Sequence, residues 1–175
     1  MALTTPRPDL APTRDGDFYA WLAEQAAHAR AGRIDRLDLS GIADEFEEIM
    51  GDKLQEIENR LVVLYQHLLK YEVQPDRRSG SWTGSIVEQR QRLRRLIRHN
   101  PSLGRALQAA LADPDLYADA RDRALAEAFA SGLSLDLPEA NPYTPEQVLD
   151  PEFWPGSGPH PELSDRQRRK LGLTR

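Results

Sequence analysis

The stretch from Ser40 to Tyr71 constrains the fold more than any other part of the chain. It contains no proline, and its two glycines, Gly41 and Gly51, fall in its first third. Leu54, Ile57, Leu61, Leu64, Leu68 and Tyr71 recur at alternating steps of three and four, the period of a helix with one face turned to other helices. Such a helix runs roughly 45 Å, longer than a small domain is wide. From Leu61 to Tyr71 it is apolar nearly all round, with Gln66, His67 and Lys70 as a narrow polar strip. A helix of this kind is packed on several sides, so the pattern predicts the spine of a helical bundle.

The remaining signals extend that prediction. Asp15 or Asp17 caps a first helix running to about Arg30, with Gly32 in the terminating position and Phe18, Trp21, Leu22 and Ala29 as its apolar face. Asp38 or Ser40 caps the spine. Pro75 stops it, and the turn Pro75 to Gly80 leads into an amphipathic helix whose stripe is Trp82, Ile86, Leu93, Leu96 and Ile97. Asn100-Pro101 and Asp113-Pro114 are start signals for two further helices, ending near Ala112 and Ser131, and Thr144 to Gln147 reads as a capping box. The predicted fold is all-α: a single-domain bundle of about five helices around a central helix at about 40–72, in an antiparallel hairpin with the next at about 82–99.

At 175 residues the chain suffices for one domain with a real core, but not comfortably for two. The proline-rich ends suggest a disordered leader over 1–14, a helical domain over 15–155 and a flexible basic tail over 156–175, in which Ser164 to Leu171 is able to form a helical turn. With no cysteine, disulfides, thiolate nucleophiles and zinc–thiolate sites are excluded. No segment approaches the apolar length of a membrane span, so no membrane partner is expected and a cytoplasmic protein is the default. The net charge of −5 argues against a surface wholly given to gripping nucleic acid.

Two charged clusters stand out. The acids Asp44, Glu45, Glu47, Glu48, Asp52, Glu56 and Glu58 lie on the first half of the spine, where those nearest its start suit the positive end of the helix dipole. They lack the paired Glu-x-x-His motifs of a di-iron bundle, and no metal, cofactor or catalytic set is read from this chain. Arg77, Arg78, Arg92, Arg94, Arg95 and Arg98 form a candidate basic surface, with Trp82 or Tyr71 available for base stacking. The plainer reading pairs these arginines with Asp52, Glu56 and Glu58 of the spine. Arg90 and Gln89 fall inside the apolar stripe, and a buried guanidinium must find a partner. A polar network of Arg90 and Gln89 with Glu58 or His67 is therefore expected. Lys70 and His67 should lie near Trp82, in position to frame an anion pocket; a hydrogen-bonded structural role is the simpler reading. Tyr143, Phe153 and Trp154 are expected to lie across one end of the bundle.

The order of several short motifs resembles a bacterial family, the domain of unknown function 29. They are Asp17 to Leu22, Asp44-Glu45 with Glu47, His67 to Lys70 with Gln74-Pro75, Ser81-Trp82, Gln89-Arg90, Pro101 to Leu103, Pro142 to Thr144 and Phe153 to Pro155. Tyr71 stands where the family usually has a Trp, and Asn141 where a Cys often precedes Pro-Tyr. The resemblance implies an all-helical intracellular protein and no activity. From the residues themselves, the chain reads as a small helical interaction module, a homodimer or a regulatory partner of another protein; an enzyme using His67 and the spine acids is the less favoured reading. The alternative is a nucleic-acid-associated protein using the arginine-rich helix 90–98.

Overall fold

The structure is a computed structural model that describes residues 12–158, 160–171 and 173; among them there is no strand. The helices are α1 (Phe18–Arg30), α2 (Leu39–Val73), α3 (Gly80–His99), α4 (Gly104–Leu111), α5 (Pro114–Ala130), α6 (Pro145–Leu149) and α7 (Asp165–Leu171). The five main helices read from the sequence are α1 to α5, with α6 and α7 as short additions. Most of the expected caps form. Asp17 accepts from the Ala20 N–H, Asp113 from Asp115, and Thr144 and Gln147 close a capping box on α6. Gly32 and Gly132 take positive φ just beyond α1 and α5. Asn100 departs from expectation. Its side chain donates back to the Leu96 carbonyl, and a 3-10 turn at Pro101–Leu103 precedes α4.

Contacts within the chain fall into two compact units, the residues up to Gly51 and those from Asp52 on, and α2 runs through the boundary. α2 has 35 residues and α3 has 20.

In the second unit the stripe of α2 is the core. Ile57, Leu61, Leu64, Tyr65, Leu68 and Leu69 are at most 1% exposed. They pack with Ile86 and Leu93 of α3, Leu107 and Leu111 of α4, and Tyr117, Ala120 and Ala124 of α5. Truncating one of these leucines to alanine costs about 2–5 kcal/mol in such a core. Two cross-helix contacts, Arg60 with Gln89 and Lys70 with Trp82, run in opposite senses along α2 and α3, so the hairpin is antiparallel. Tyr143 and Trp154 join the core, with Trp154 5.3 Å from the Tyr71 ring. Among the described residues beyond Trp154, α7 lies against α3, and Leu163 is half-buried on the core.

In the first unit α1 and the start of α2 are joined at Asp38. Its carboxylate accepts from the Gly41 N–H at 2.9 Å and the Trp21 indole at 3.3 Å, while Gln25 accepts from its backbone N–H at 2.9 Å. Gly41 is required here, because a Cβ would lie 2.9 Å from the Trp21 ring. The leader expected over 1–14 lies largely outside the described residues, but Arg14 is tied to Glu48 at 2.7 Å and Glu45 at 3.5 Å.

Candidate functional site

Arg90 is fully buried, as its place in the stripe requires, but its partners are not those expected. Neither Glu58 nor His67 meets it. Its guanidinium donates to three backbone carbonyls, Val148 at 2.8 Å, Phe153 at 2.9 Å and Gln147 at 3.2 Å, and lies 5.7 Å from the Trp154 ring. The physical reason is the end of α6, whose last carbonyls have no partner within the helix and carry its negative dipole end. The rigid guanidinium fork satisfies several at once. Burial pulls the Arg90 pKa down to about 10, so it stays charged at neutral pH. Gln89 accepts instead from Arg60, and Glu58 makes no ion pair among the described residues.

The polar strip of α2 divides in two. His67 turns back on its own helix, donating from Nδ1 to the Val63 carbonyl at 2.8 Å, and burial lowers its pKa. Lys70 is 3% exposed, with Nζ 2.5 Å from Glu127 and 4.4 Å above the Trp82 ring; Gln66 donates to the other Glu127 oxygen at 3.0 Å. Lys70 and Trp82 thus meet as expected, but Glu127 takes up the charge an anion would use. The adjoining cavity, of about 40 Å³ beside Gln74, Arg77 and Ser131, is water-sized rather than substrate-sized. Glu127 was missed by the sequence reading. It is one acid among several on α5, and nothing local marks it.

Among the ion pairs of the described residues, none joins Arg92, Arg95 or Arg98 of α3 to an acid of the spine. Glu56 is held by Arg60 and Lys53 of its own helix, and the Arg60 hydrogen bond lowers its pKa. Arg92 pairs within α3 with Glu88 at 3.1 Å, and Arg94 adds its positive field to Arg90. Arg95, Arg98 and Arg77 are exposed, with no ion pair among the described residues. Arg78 has a structural position, donating to the Tyr71 carbonyl at 2.8 Å and the Pro155 carbonyl at 3.4 Å over the Tyr71 ring. Neither expected stacking platform is free: Tyr71 is buried, and Lys70 covers Trp82.

A family model described as Domain of unknown function DUF29 matches residues 14–154. The chain belongs to this family. The match spans the first unit from Arg14, all of α1 to α6 and the carbonyls that hold Arg90, and it ends at Trp154, before α7. No curated protein and no solved structure matches the chain. Among the described residues, no group of three or more His, Asp or Glu is placed to hold a metal, and no helix is long and apolar enough to cross a membrane.

The first unit carries what sequence reasoning passed over. Of the face read on α1, Trp21 is buried, but Phe18 and Leu22 remain 42% and 38% exposed. On α2, Phe46, Ile49 and Met50 are exposed at 62%, 47% and 66%. The signal was available, since Met50 and Leu54 prolong the spacing of the core stripe. Periodicity alone does not say where the covering helices end.

Proposed function

We propose that this DUF29 protein is a helical interaction module whose docking face lies in the unit up to Gly51. One observation carries the reading. Of the ten large hydrophobic side chains exposed among the described residues, eight belong to this unit: Phe18, Tyr19, Leu22, Ile34, Leu39, Phe46, Ile49 and Met50. Among the described residues of this unit, the only large apolar side chain buried is Trp21. A two-helix hairpin with so small a core gains little from its own burial, and so many exposed apolar side chains in one unit favour an interaction site. The partner is a second copy of the chain or another protein, and the mass of the complex separates the two.

The double variant Phe46→Glu/Met50→Glu tests this reading, because both side chains are already in solvent and the change should leave folding within about 0.5 kcal/mol of the parent. Wild type and variant are compared by light scattering and by purification from the native host after nuclease treatment. A dimer that becomes a monomer in the variant, or a nuclease-resistant partner that the variant loses, supports the module. A wild-type monomer that retains the same companions as the variant overturns it. The nucleic-acid alternative gains from the exposed Arg95 and Arg98 but loses the stacking it required of Tyr71 and Trp82.

A further inference from the structure

The helix α7 forms one wall of a cleft against α3. Gln167 faces Gln91, Arg92 and Arg95 across a space of about 570 Å³. The one acid lining it, Glu88, is already engaged with Arg92. Beyond the cleft the exposed side of α3 continues to Arg98, and α7 carries the exposed Arg166, while the exposed Arg169 lines a separate cleft with Glu152, Glu162 and Asp165. Arg95, Arg98, Arg166 and Arg169 have no ion pair among the described residues. In a protein of net charge −5, this is a local concentration of unneutralised cations.

We propose that the α3–α7 cleft and the arginine row beyond it bind a linear chain of phosphates, the backbone of a nucleic-acid duplex or an inorganic polyphosphate. Arg92, Arg95 and Arg98 are successive at three-residue steps, about 4.5 Å of helix rise apart. A row of that kind follows a line of charges, whereas a site for one small anion needs donors that converge on a point. Like charges at i, i+3 repel along a helix, and a polyanion laid over them removes that repulsion. The amides of Gln91 and Gln167 add neutral donors for phosphate oxygens. Beyond Trp82, which lies under Lys70, neither helix carries a Phe, Tyr or Trp, so the surface offers backbone contacts rather than a stacking platform. Recognition is of the backbone, independent of sequence, and distinct from the apolar face of the first unit.

The test is fluorescence anisotropy of the full chain with a short labelled DNA duplex, with inorganic polyphosphate as competitor. Four phosphate contacts give a slope of log affinity against log salt of about −3.6, a loss of roughly 150-fold between about 50 and about 200 mM salt. Arg95→Glu/Arg98→Glu should roughly halve that slope and weaken binding, with an unchanged circular dichroism spectrum. Should that variant fail to fold, the milder Arg95→Gln/Arg98→Gln takes its place. A duplex that polyphosphate does not displace identifies nucleic acid as the source of the phosphates. Displacement at matched phosphate concentration, or binding of polyphosphate alone, identifies the simpler polymer. No binding of either by wild type at low salt, or equal binding by a folded charge-reversal variant, overturns the proposal.

Discussion

Replacing Arg90 by methionine is expected to loosen the segment around α6 from the bundle, and the size of the effect follows from two opposed quantities. Burial holds the guanidinium at a cost. The fall of its pKa from 12.5 to about 10 corresponds to about 3 kcal/mol, at roughly 1.4 kcal/mol for each tenfold change. Against that stand three charge-assisted hydrogen bonds to Val148, Phe153 and Gln147, each worth about 1.5–3 kcal/mol. Methionine fills much of the same space and removes the buried charge, which by itself is neutral or favourable when an ion pair is replaced whole. Here only one side is replaced. The carbonyls remain, and Val148 is buried where water does not reach it. The hydrogen bonds therefore win, by about 3 kcal/mol, and at about 2–4 °C per kcal/mol the melting temperature falls by about 6–12 °C. Lysine should fall between, since one ammonium cannot serve three directions with the geometry of the fork.

Urea unfolding with hydrogen exchange is the assay, because it also locates the loss. Amides of residues 141–155 should lose protection before those of α2. A second expectation separates this arrangement from one built on Glu58. Arg90→Met and Glu58→Ala should be additive within about 0.5 kcal/mol, as sites without a shared partner are. An Arg90→Met protein as stable as its parent, with undiminished protection over 141–155, would refute the reasoning.

Two further outcomes concern the spine. Burial, assisted by Lys70, favours the neutral form of His67 in the folded chain, so protonation costs more there than in the unfolded chain. Its contribution is complete above the unfolded value near 6.5 and is lost as pH falls from there to the lower folded value. His67→Gln should flatten that part of the stability profile, and urea midpoints that shift equally with pH in both proteins would contradict it. Tyr143 donates to Glu72 at 2.5 Å, and burial first, then Glu72, pushes its phenol far above the ordinary range, so it remains a donor. Tyr143→Phe should cost about 1.5–3 kcal/mol in denaturant unfolding. A double-mutant cycle with Glu72→Gln should show coupling of that order; additivity would remove the bond from the account.

Helix boundaries were legible because they are set locally. Proline at 75, cap residues at 17, 113 and 144, and the three-four spacing of leucines each act within a turn or two, so α2 begins and ends within a residue of the bounds read for it. That Arg90 is buried was legible for the same reason. Its partners were not, for they lie 57, 58 and 63 residues away and are backbone carbonyls, which every residue carries. A carboxylate announces itself in a sequence; an unsatisfied carbonyl at the end of a five-residue helix does not. Glu127 shows the converse difficulty. It is visible as an acid but indistinguishable from its solvated neighbours until α5 packs against Lys70 and Trp82.

The buried polar side chains, Gln25, Lys70 and Arg90, all have partners in the fold. A charge enclosed in protein has a large desolvation cost, and here that cost is met by fixing structure: Arg90 holds the end of α6 to α3, and Lys70 ties α2 to α5 beneath Trp82. The buried charges are thus accounted for by construction. Among the described residues, two groups of side chains without a structural partner cluster on the surface: apolar groups on α1 and the first half of α2, and the guanidiniums of Arg95 and Arg98 on α3 with Arg166 on α7. Each has a cost while it stays bare, hydration of apolar area in one case and repulsion between like charges in the other. A partner that covers either surface removes that cost, so these are the two surfaces on which binding gains free energy without breaking a contact the fold already has.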